Sequence, residues 1–255
     1  MNDGKQIEAS TRTLEIVEAL GDLELASASE IAETVGLADS TAHYHLKTLE
    51  SAGFIKNENG TYRLSMKLLN VGHKAVNHLD LYQVGKSKVD QLAEETKELC
   101  ILMIEEHGYG YYIYENKGEN AVDWDTTGSQ KYLHDNSLGK AVLAHLPEER
   151  VERIIDERGL PPATENTITD REALYDELAA IRERGVSYDL EEQLMGLRCV
   201  AAPIRYPADH RTPDIMGGVS ITGPANRLRG DYLREELATA VSDAANIIEL
   251  EMKEY

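Results

Sequence analysis

The 255-residue sequence predicts an α+β fold in two domains of unequal size. The chain is longer than one typical domain. Residues 27–62 suggest two helices followed by a β-hairpin, whereas the residues beyond 99 alternate strands with helices. Between them, residues 65–98 are helical in character and contain no Pro/Ser-rich segment. We therefore predict a first domain at residues 1–72, a second domain at residues 73–255, and a linker helix at about residues 66–80.

Caps and apolar spacing predict three helices in the first domain. The first helix has three apolar residues in register, Leu14, Val17 and Leu20. Ser27 and Glu30 have the spacing of a capping box, although Ser29 is a competing cap, so a second helix is predicted to begin here. Gly36 suits the end of this helix.

The third helix is predicted to be capped by Asp39 or Ser40 and is followed by a β-hairpin. A strand opens at residues 53–55, Asn59-Gly60 is a strong hairpin-turn signal, and residues 61–64 return as the second strand. The buried stripe of the helix is predicted at Ala42, Leu46 and Leu49. This order of elements is that of a winged helix-turn-helix domain, which lays its third helix in a DNA groove.

The third helix and the hairpin carry most of the side chains that we predict to contact double-stranded DNA. One face of the helix combines hydroxyl, imidazole, phenol and ammonium groups, which can hydrogen-bond phosphates or base edges. The predicted contacts are Arg12, Ser40, Thr41, His43, Tyr44, Lys47, Lys56 and Arg63. The alternative is a three-helix module that binds only protein.

The net charge of −20 is unusual for a DNA-binding protein, because phosphate contacts normally supply most of the affinity. Residues 1–72 contain six basic and eleven acidic side chains, a net charge of −5, and the remainder carries −15. Residues 39–67 have a net charge of only +1. Either the protein does not bind DNA, or its surface is acidic for another reason. We favour the acidic surface of a halophilic archaeon, where high ionic strength screens the repulsion between surface charges.

The sequence contains no run of eighteen apolar residues and no basic-then-apolar start, so neither a membrane span nor a signal peptide is predicted. The two cysteines, Cys100 and Cys199, do not suggest a disulfide framework. We therefore expect a cytoplasmic protein that does not contact the membrane.

The second domain is predicted to place helices beside an antiparallel sheet. Residues 100–105 and 109–114, separated by His107-Gly108, are expected to pair. Further strands are predicted at residues 186–189, 199–205 and 217–222. Helices are predicted at residues 136–146, at 147–157 with Pro147 in the first turn, at 169–185 from a Thr169–Glu172 capping box, and at about 228–252.

Several segments together resemble the IclR-type transcriptional regulators, over nearly the whole chain. In the first domain these are "TLEIVEAL", "EIAETVGLADSTAHYHLKTLESAGFI" and "YRLSMKLLNVG". In the second they are "LGKAVLAHL", "IRERGVSYDLEEQLMGLRCVAAPI" and "GGVSITGP", and the combination of these three is specific.

The resemblance implies an N-terminal winged helix-turn-helix domain, a helical linker and a C-terminal PAS/GAF-like α/β effector-binding domain. It also implies a homodimer formed through the DNA-binding domains, often assembled into a homotetramer as a dimer of dimers. Such proteins repress or activate catabolic operons in response to small organic acids or sugar derivatives. No cofactor is implied.

The chain departs from the family pattern at three places. The family often has arginine where this chain has Tyr44, and usually leucine where it has His45. Loss of the arginine removes a bidentate contact to guanine or phosphate. Upstream of Gly139, the segment "YLHDNSLGKA" keeps His134 and Ser137 but lacks the proline that the family typically has.

Matching the family residue by residue places ligand contacts on Trp124, Ser137, Leu138, Asp189, Cys199, Ser220 and Thr222. Ser137 begins a helix, so its hydroxyl and the following N–H groups could hold an anion. Ser220 and Thr222 lie two apart on one strand, hence on one face. Trp124 could form an apolar wall of the site. Asp189 could accept a hydrogen bond from a ligand hydroxyl, which favours a hydroxylated acid as the ligand.

Each of these residues also has a purely structural interpretation. The two hydroxyls could satisfy neighbouring backbone groups, and a lone tryptophan is more often part of a core. Asp189, Glu191 and Glu192 would repel an anion unless they face outward or pair with Arg198.

The remaining alternative is a small-molecule enzyme that uses Cys199 as nucleophile and His134 as base. The surrounding "LRCVAAPI" suits a small buried side chain better, so no catalytic residue is predicted. The histidines lack the spacing of a shared metal site, and none is predicted. The favoured prediction is a regulator whose operator binding is controlled by an organic or sugar acid.

Overall fold

The computed structural model describes residues 7–124, 126–205 and 216–253. The chain divides into two compact units, residues 1–76 and 77–255. Within the described ranges, no helix combines the length and the hydropathy needed to cross a bilayer.

The first unit is a winged helix-turn-helix domain. Its three strands are antiparallel and lie in the order β1-β3-β2. The elements are α1 (Glu8–Leu23), β1 (Ala26–Ser27), α2 (Ala28–Thr34), α3 (Asp39–Ser51), β2 (Ile55–Glu58), β3 (Thr61–Leu64) and α4 (Met66–Asn77). The short strand β1 was not predicted, because two residues carry too little pattern to be recognised.

The predicted capping box of α2 is confirmed, whereas the predicted cap of α3 is wrong. The Glu30 amide donates to Ser27 Oγ (3.3 Å), and the Ser27 amide donates to Glu30 Oε2 (2.8 Å). The N-cap of α3 is Ala38, which has no side-chain cap. Asp39 and Ser40 instead lie in the first turn, where the Asp39 carboxylate is stabilised by the helix dipole.

The core of the first unit confirms the stripe predicted for α3 and corrects that of α1. Ala42, Leu46 and Leu49 are buried. On α1 the buried residues include Ile16 and Leu20, whereas Leu14 is 63% exposed. Leu14 lies two residues, about 200° of helix rotation, from Ile16 and so faces away from the core.

The hairpin turns at Asn59-Gly60 as predicted, with φ of 59° and 92°. Such positive values are those of a type I′ turn. The first strand begins at Ile55 rather than at residue 53, because Gly53 has a φ of 79° and belongs to the preceding turn.

The helical region after the hairpin is interrupted at residues 78–79, between α4 and α5 (Asp80–Thr96), and not at a glycine. Gly72 and Gly85 lie inside these helices. A Cβ atom at Gly85 would lie 2.7 Å from Leu102 Cδ2, so this glycine allows α5 to approach the sheet.

The second unit contains a six-stranded antiparallel sheet in the order β6-β5-β4-β9-β8-β7. Its strands are β4 (Leu99–Glu106), β5 (Tyr109–Lys117), β6 (Gln130–Lys131), β7 (Ser187–Leu190), β8 (Leu197–Arg205) and β9 (Met216–Pro224). The predicted pairing of residues 100–105 with 109–114 is confirmed, whereas the two-residue β6 was missed.

Helices cover both faces of this sheet. Beyond α5 they are α6 (Ser137–Leu143), α7 (Glu148–Arg158), α8 (Arg171–Arg184), a π-helical turn (Tyr232–Leu237) and α9 (Ala238–Met252). Helices α5 and α9 contact one face, and α6 contacts the other, where α7 and α8 complete the apolar core. We call the face of the sheet that α6 contacts the α6 face.

Two predicted helix starts are corrected. Asp170, not Thr169, caps α8, because its carboxylate accepts from the Ala173 amide (2.9 Å). Pro147 precedes α7 as its N-cap rather than lying in its first turn.

A β-bulge in β5 sends two neighbouring tyrosines to opposite faces of the sheet. Leu102 pairs with Tyr114 and Met103 with Tyr112, so Ile113 is the extra residue. Tyr114 donates a hydrogen bond to Asp90 on α5 (2.7 Å). Tyr112 instead joins the apolar core of the α6 face.

Candidate functional site

The structure exposes one face of α3 and buries the other. Tyr44 is 73% exposed. The other predicted contacts on this helix, Ser40, Thr41, His43 and Lys47, are also exposed, as is Lys56 on the hairpin. The face opposite the buried stripe is therefore available for a partner.

Arg12 and Arg63 are each held by a nearby acid. Arg12 Nη1 lies 2.9 Å from Glu15 Oε2, and Arg63 Nη2 lies 2.6 Å from Glu58 Oε1. Exposed ion pairs of this kind contribute about 0–1 kcal/mol, so either arginine can exchange its carboxylate for a phosphate. These two bases add less free positive charge to the first unit than the sequence suggests.

His45, which stands where the family usually has leucine, makes a hydrogen bond that sequence reasoning missed. Its Nδ1 lies 2.8 Å from Thr13 Oγ1 and so connects α3 to α1. The half-buried imidazole therefore has a partner, as a buried polar group requires.

In the second unit, four of the predicted ligand residues share the α6 face. Asp189 on β7 pairs with Cys199 on β8, which in turn pairs with Thr222 on β9. Directly opposed residues of antiparallel strands point to the same side. Ser220, two residues before Thr222, also points there, as its spacing predicts. All four side chains are buried.

The other three predicted ligand residues reach the same face from outside these strands. Ser137 and Leu138 begin α6 and are buried, and Leu138 packs on Gly218 of β9. Trp124 is half-buried and packs against the apolar core of this face. All seven residues therefore lie on the α6 face.

Five of these residues form what we call the polar cluster: Ser137, Asp189, Cys199, Ser220 and Thr222. The Thr222 hydroxyl donates to Cys199 Sγ (3.2 Å), which lies 3.8 Å from Asp189 Oδ2. The Ser137 hydroxyl also interacts with this sulfur. The Ser220 hydroxyl has no hydrogen-bond partner among the described residues. Since buried polar groups are normally satisfied, it is available to a ligand.

Asp189 is an unusual carboxylate, because burial raises its pKa to about 7. The Glu192 amide donates to its Oδ1 (2.7 Å) and, together with the charge of Lys140, limits this rise. The Glu192 carboxylate acts in the opposite direction. Asp189 can therefore change its protonation near neutral pH, accepting or donating a hydrogen bond.

The two acidic residues that follow β7, Glu191 and Glu192, are each neutralised by an ion pair. Glu191 pairs with Arg198 at 3.0 Å, as the sequence allowed. Glu192 is buried and pairs with Lys140 of α6 at 2.5 Å. Sequence reasoning missed this second pair, because its members are 52 residues apart.

The helix start at Ser137 offers less to an anion than predicted. The Asn136 side chain accepts from the Gly139 amide (2.8 Å) and so occupies one of the free N–H groups. An anion would compete with this cap.

The geometry does not support the nucleophile and base pair of Cys199 and His134. Burial raises the pKa of the Cys199 thiol well above its usual value, and the charge of Asp189 adds to this effect. His134 Nε2 lies 3.0 Å from the Pro161 carbonyl, and burial lowers the pKa of this imidazole. Both shifts disfavour the thiolate–imidazolium state that such chemistry needs.

Comparison with known proteins agrees with these two units. Residues 9–58 match the family described as the IclR helix-turn-helix domain, and residues 73–250 match that described as the Bacterial transcriptional regulator IclR C-terminal. The "Probable HTH-type transcriptional regulator ArcR" of Halobacterium salinarum is 32% identical over 98% of this chain and 95% of that protein.

Solved structures share the fold. The IclR of Thermotoga maritima is 27% identical with a TM-score of 0.71, over 97% of this chain and 99% of that one. An IclR homolog from Microbacterium hydrocarbonoxydans, complexed with 4-hydroxybenzoate, is 22% identical with a TM-score of 0.80, over 97% and 100%. A helix-turn-helix unit joined to an α/β unit, with both family matches in order, shows that the chain belongs to the IclR family of transcriptional regulators.

Proposed function

We propose that the chain regulates transcription by binding operator DNA through α3 and that a small organic or sugar acid, bound at the polar cluster, controls this binding. The observation that carries the proposal is the convergence of Ser137, Asp189, Cys199, Ser220 and Thr222 on one buried face. Such a set of hydroxyls and a carboxyl can hydrogen-bond a ligand.

The cluster favours a hydroxylated acid. Asp189 can accept from a ligand hydroxyl, and the unpartnered Ser220 hydroxyl can pair with a second oxygen. The 4-hydroxybenzoate in the Microbacterium homolog carries both a carboxylate and a hydroxyl, which supports this class of compound as the first to test.

The DNA-bound form that we propose is a homodimer in the cytoplasm, with a dimer of dimers as a further assembly. Two copies of α3 would occupy successive major grooves of a palindromic operator. The acidic composition supports a saline cytoplasm, where counterion release contributes less and specific contacts carry more of the affinity.

Control by the acid requires that it bind one arrangement of the dimer or tetramer more tightly than another. We propose that α4 and α5 transmit this preference between the units. An acid that bound both arrangements with equal affinity would not change operator binding, however tightly it bound.

A mobility-shift assay on the DNA upstream of the protein's own gene, in molar KCl, tests the DNA-binding part. We expect a sequence-dependent shift that Lys47→Ala weakens, with the slope of log affinity against log salt reduced by about one. Lys253→Ala, an exposed lysine in the second unit, is the matched control and should bind as the native chain does. If no sequence-dependent shift is seen and Lys47→Ala has no effect, the proposed regulation of transcription is overturned.

A further inference from the structure

Lys131 lies at the edge of the α6 face, beside two aromatic rings. It pairs with Gly110 across β5 and β6, so both point to the same side of the sheet. Its ammonium is 5.6 Å from the ring centroid of Trp124 and 6.0 Å from that of Tyr112. Trp124 is one of the seven predicted ligand residues, so Lys131 adjoins the candidate site.

The other bases near the polar cluster are already paired. The Lys140 ammonium forms an ion pair with Glu192, and the Arg198 guanidinium forms one with Glu191. By contrast, no carboxylate of the described residues lies within ion-pair distance of Lys131. Of these three described bases, Lys131 is therefore the one without an ion pair, and its ammonium is available to the carboxylate of an acid.

One carboxylate of the α6 face, that of Asp135, lies near Lys131 without pairing with it. Asp135 interacts with it electrostatically but accepts its hydrogen bond from the Asn136 side chain (2.9 Å). The positive charge of Lys131 is thus only partly offset.

Tyr112 connects Lys131 to the polar cluster. Its side chain is buried, and its hydroxyl is close enough to Cys199 and Asp189 to interact with both electrostatically. The side chain of Gln193 hydrogen-bonds this hydroxyl. Polar side chains therefore continue from the polar cluster toward Lys131.

We propose that Lys131 binds the carboxylate of the effector, between the rings of Trp124 and Tyr112, while the hydroxyls of the ligand reach the polar cluster. The proposal rests on the proposed function, because it assigns the acid group of the same effector. Strand β4 separates β5 from β9, so Tyr112 and Ser220 start roughly 10 Å apart at the backbone. The site therefore selects an elongated acid with a hydroxyl several ångströms from its carboxylate, rather than a short 2-hydroxy acid.

The test compares acids with their uncharged amides on the full-length protein by titration calorimetry. The probes are 4-hydroxybenzoate with 4-hydroxybenzamide, gluconate with gluconamide, and lactate as the short acid. The native chain should bind at least one of the two long acids ~10-fold or more tightly than its amide and than lactate. Lys131→Gln should lose this preference for the acid without weakening amide binding, and Lys131→Arg should retain it.

Lys86→Gln is the matched control. The Lys86 ammonium also lies over a tyrosine of β5, 5.3 Å from the Tyr114 ring centroid, but α5 and Tyr114 lie on the opposite face. This variant should bind acids as the native chain does. If Lys131→Gln binds the long acids unchanged, the role of Lys131 is overturned and the effector function stands. If the native chain binds neither long acid, the elongated-acid effector is itself overturned.

Discussion

Asp189 and the Lys140–Glu192 pair place three ionisable side chains in the interior of the second unit. Burying a charge is costly unless a partner compensates it, and the loss of one partner usually costs more than the loss of both. The structure provides such partners, because Lys140 faces Glu192 and the Glu192 amide donates to Asp189. The interior charges of this unit therefore depend on one another.

The buried pair can be tested by a double-mutant cycle. Lys140→Met and Glu192→Met should each destabilise the second unit by roughly 3–5 kcal/mol, because each leaves one buried charge unpaired. The double substitution should be less destabilising than either single one. Urea denaturation followed by the fluorescence of Trp124, the only tryptophan, reports on this unit. Additive effects would show that the two side chains do not act as a pair.

Asp189 should make the stability of the second unit depend on pH. Its pKa is about 7 when folded and 3.8 ordinarily, so the folded protein binds the proton more tightly. Stability is therefore expected to fall as pH rises from about 4 to about 7. As the pH rises through this window, the free energy of unfolding of Asp189→Asn, measured by urea denaturation, should increase relative to that of the native chain by up to about 1.4 kcal/mol per pH unit. Asp176→Asn, an exposed position, is the control, and a pH-independent difference for Asp189→Asn would contradict the interpretation.

At the scale of single residues, arrangements set by local spacing could be predicted from the sequence, whereas contacts between segments far apart in the sequence could not. Ser220 and Thr222 share a face because strands alternate, and the sequence shows this directly. The partner of Lys140 depends on how α6 packs against the loop after β7, which no local pattern encodes. The orientation of Tyr112 depends on a bulge, so simple alternation would have assigned it to the face of Tyr114.

Among the elements, caps and turns followed the sequence where a single arrangement satisfied the backbone. The Ser27–Glu30 box and the Asn59-Gly60 turn formed as predicted. The cap of α8 was misassigned by one residue, because the adjacent polar side chains of Thr169 and Asp170 compete for the same role. The cap of α3 was misassigned because the N-cap of this helix is Ala38, which provides no side-chain cap. Gly85 lies inside α5 despite the low helix propensity of glycine, and its close approach to Leu102 explains the choice of residue.

Gly139 of α6 sets how closely this helix approaches the chain before it. A Cβ atom there would collide with backbone atoms of Leu133, which cannot move aside as a side chain can. Gly139→Ala should therefore destabilise the second unit by about 3 kcal/mol or more.

Gly72→Ala provides the matched comparison, because nothing lies within 4 Å of a Cβ at this helical position. It should stabilise α4 by roughly 0.5–1 kcal/mol. Thermal denaturation followed by circular dichroism measures both variants. Equal effects would show that α6 is not held as closely as the structure indicates.

For the whole molecule, the two family matches and the architecture agree on a regulator built from a DNA-binding unit and a ligand-binding unit. The two-part division was predictable, because helix periodicity and strand alternation differ clearly along the chain. The net charge of −20 was equally visible, yet the pairing of Arg12 and Arg63 with acids was not. The proposal therefore assigns most of the operator contacts to the exposed face of α3.

The most direct test of the regulator is a titration of operator affinity with an effector acid. Fluorescence anisotropy with the DNA upstream of the gene, with and without 4-hydroxybenzoate or gluconate, compares the native chain with the Ser220→Ala, Thr222→Ala double variant. We expect the acid to change native operator affinity by roughly 5- to 150-fold, and the variant to bind the operator normally without responding. An undiminished response in the variant, or loss of operator binding together with the response, would contradict control through the polar cluster.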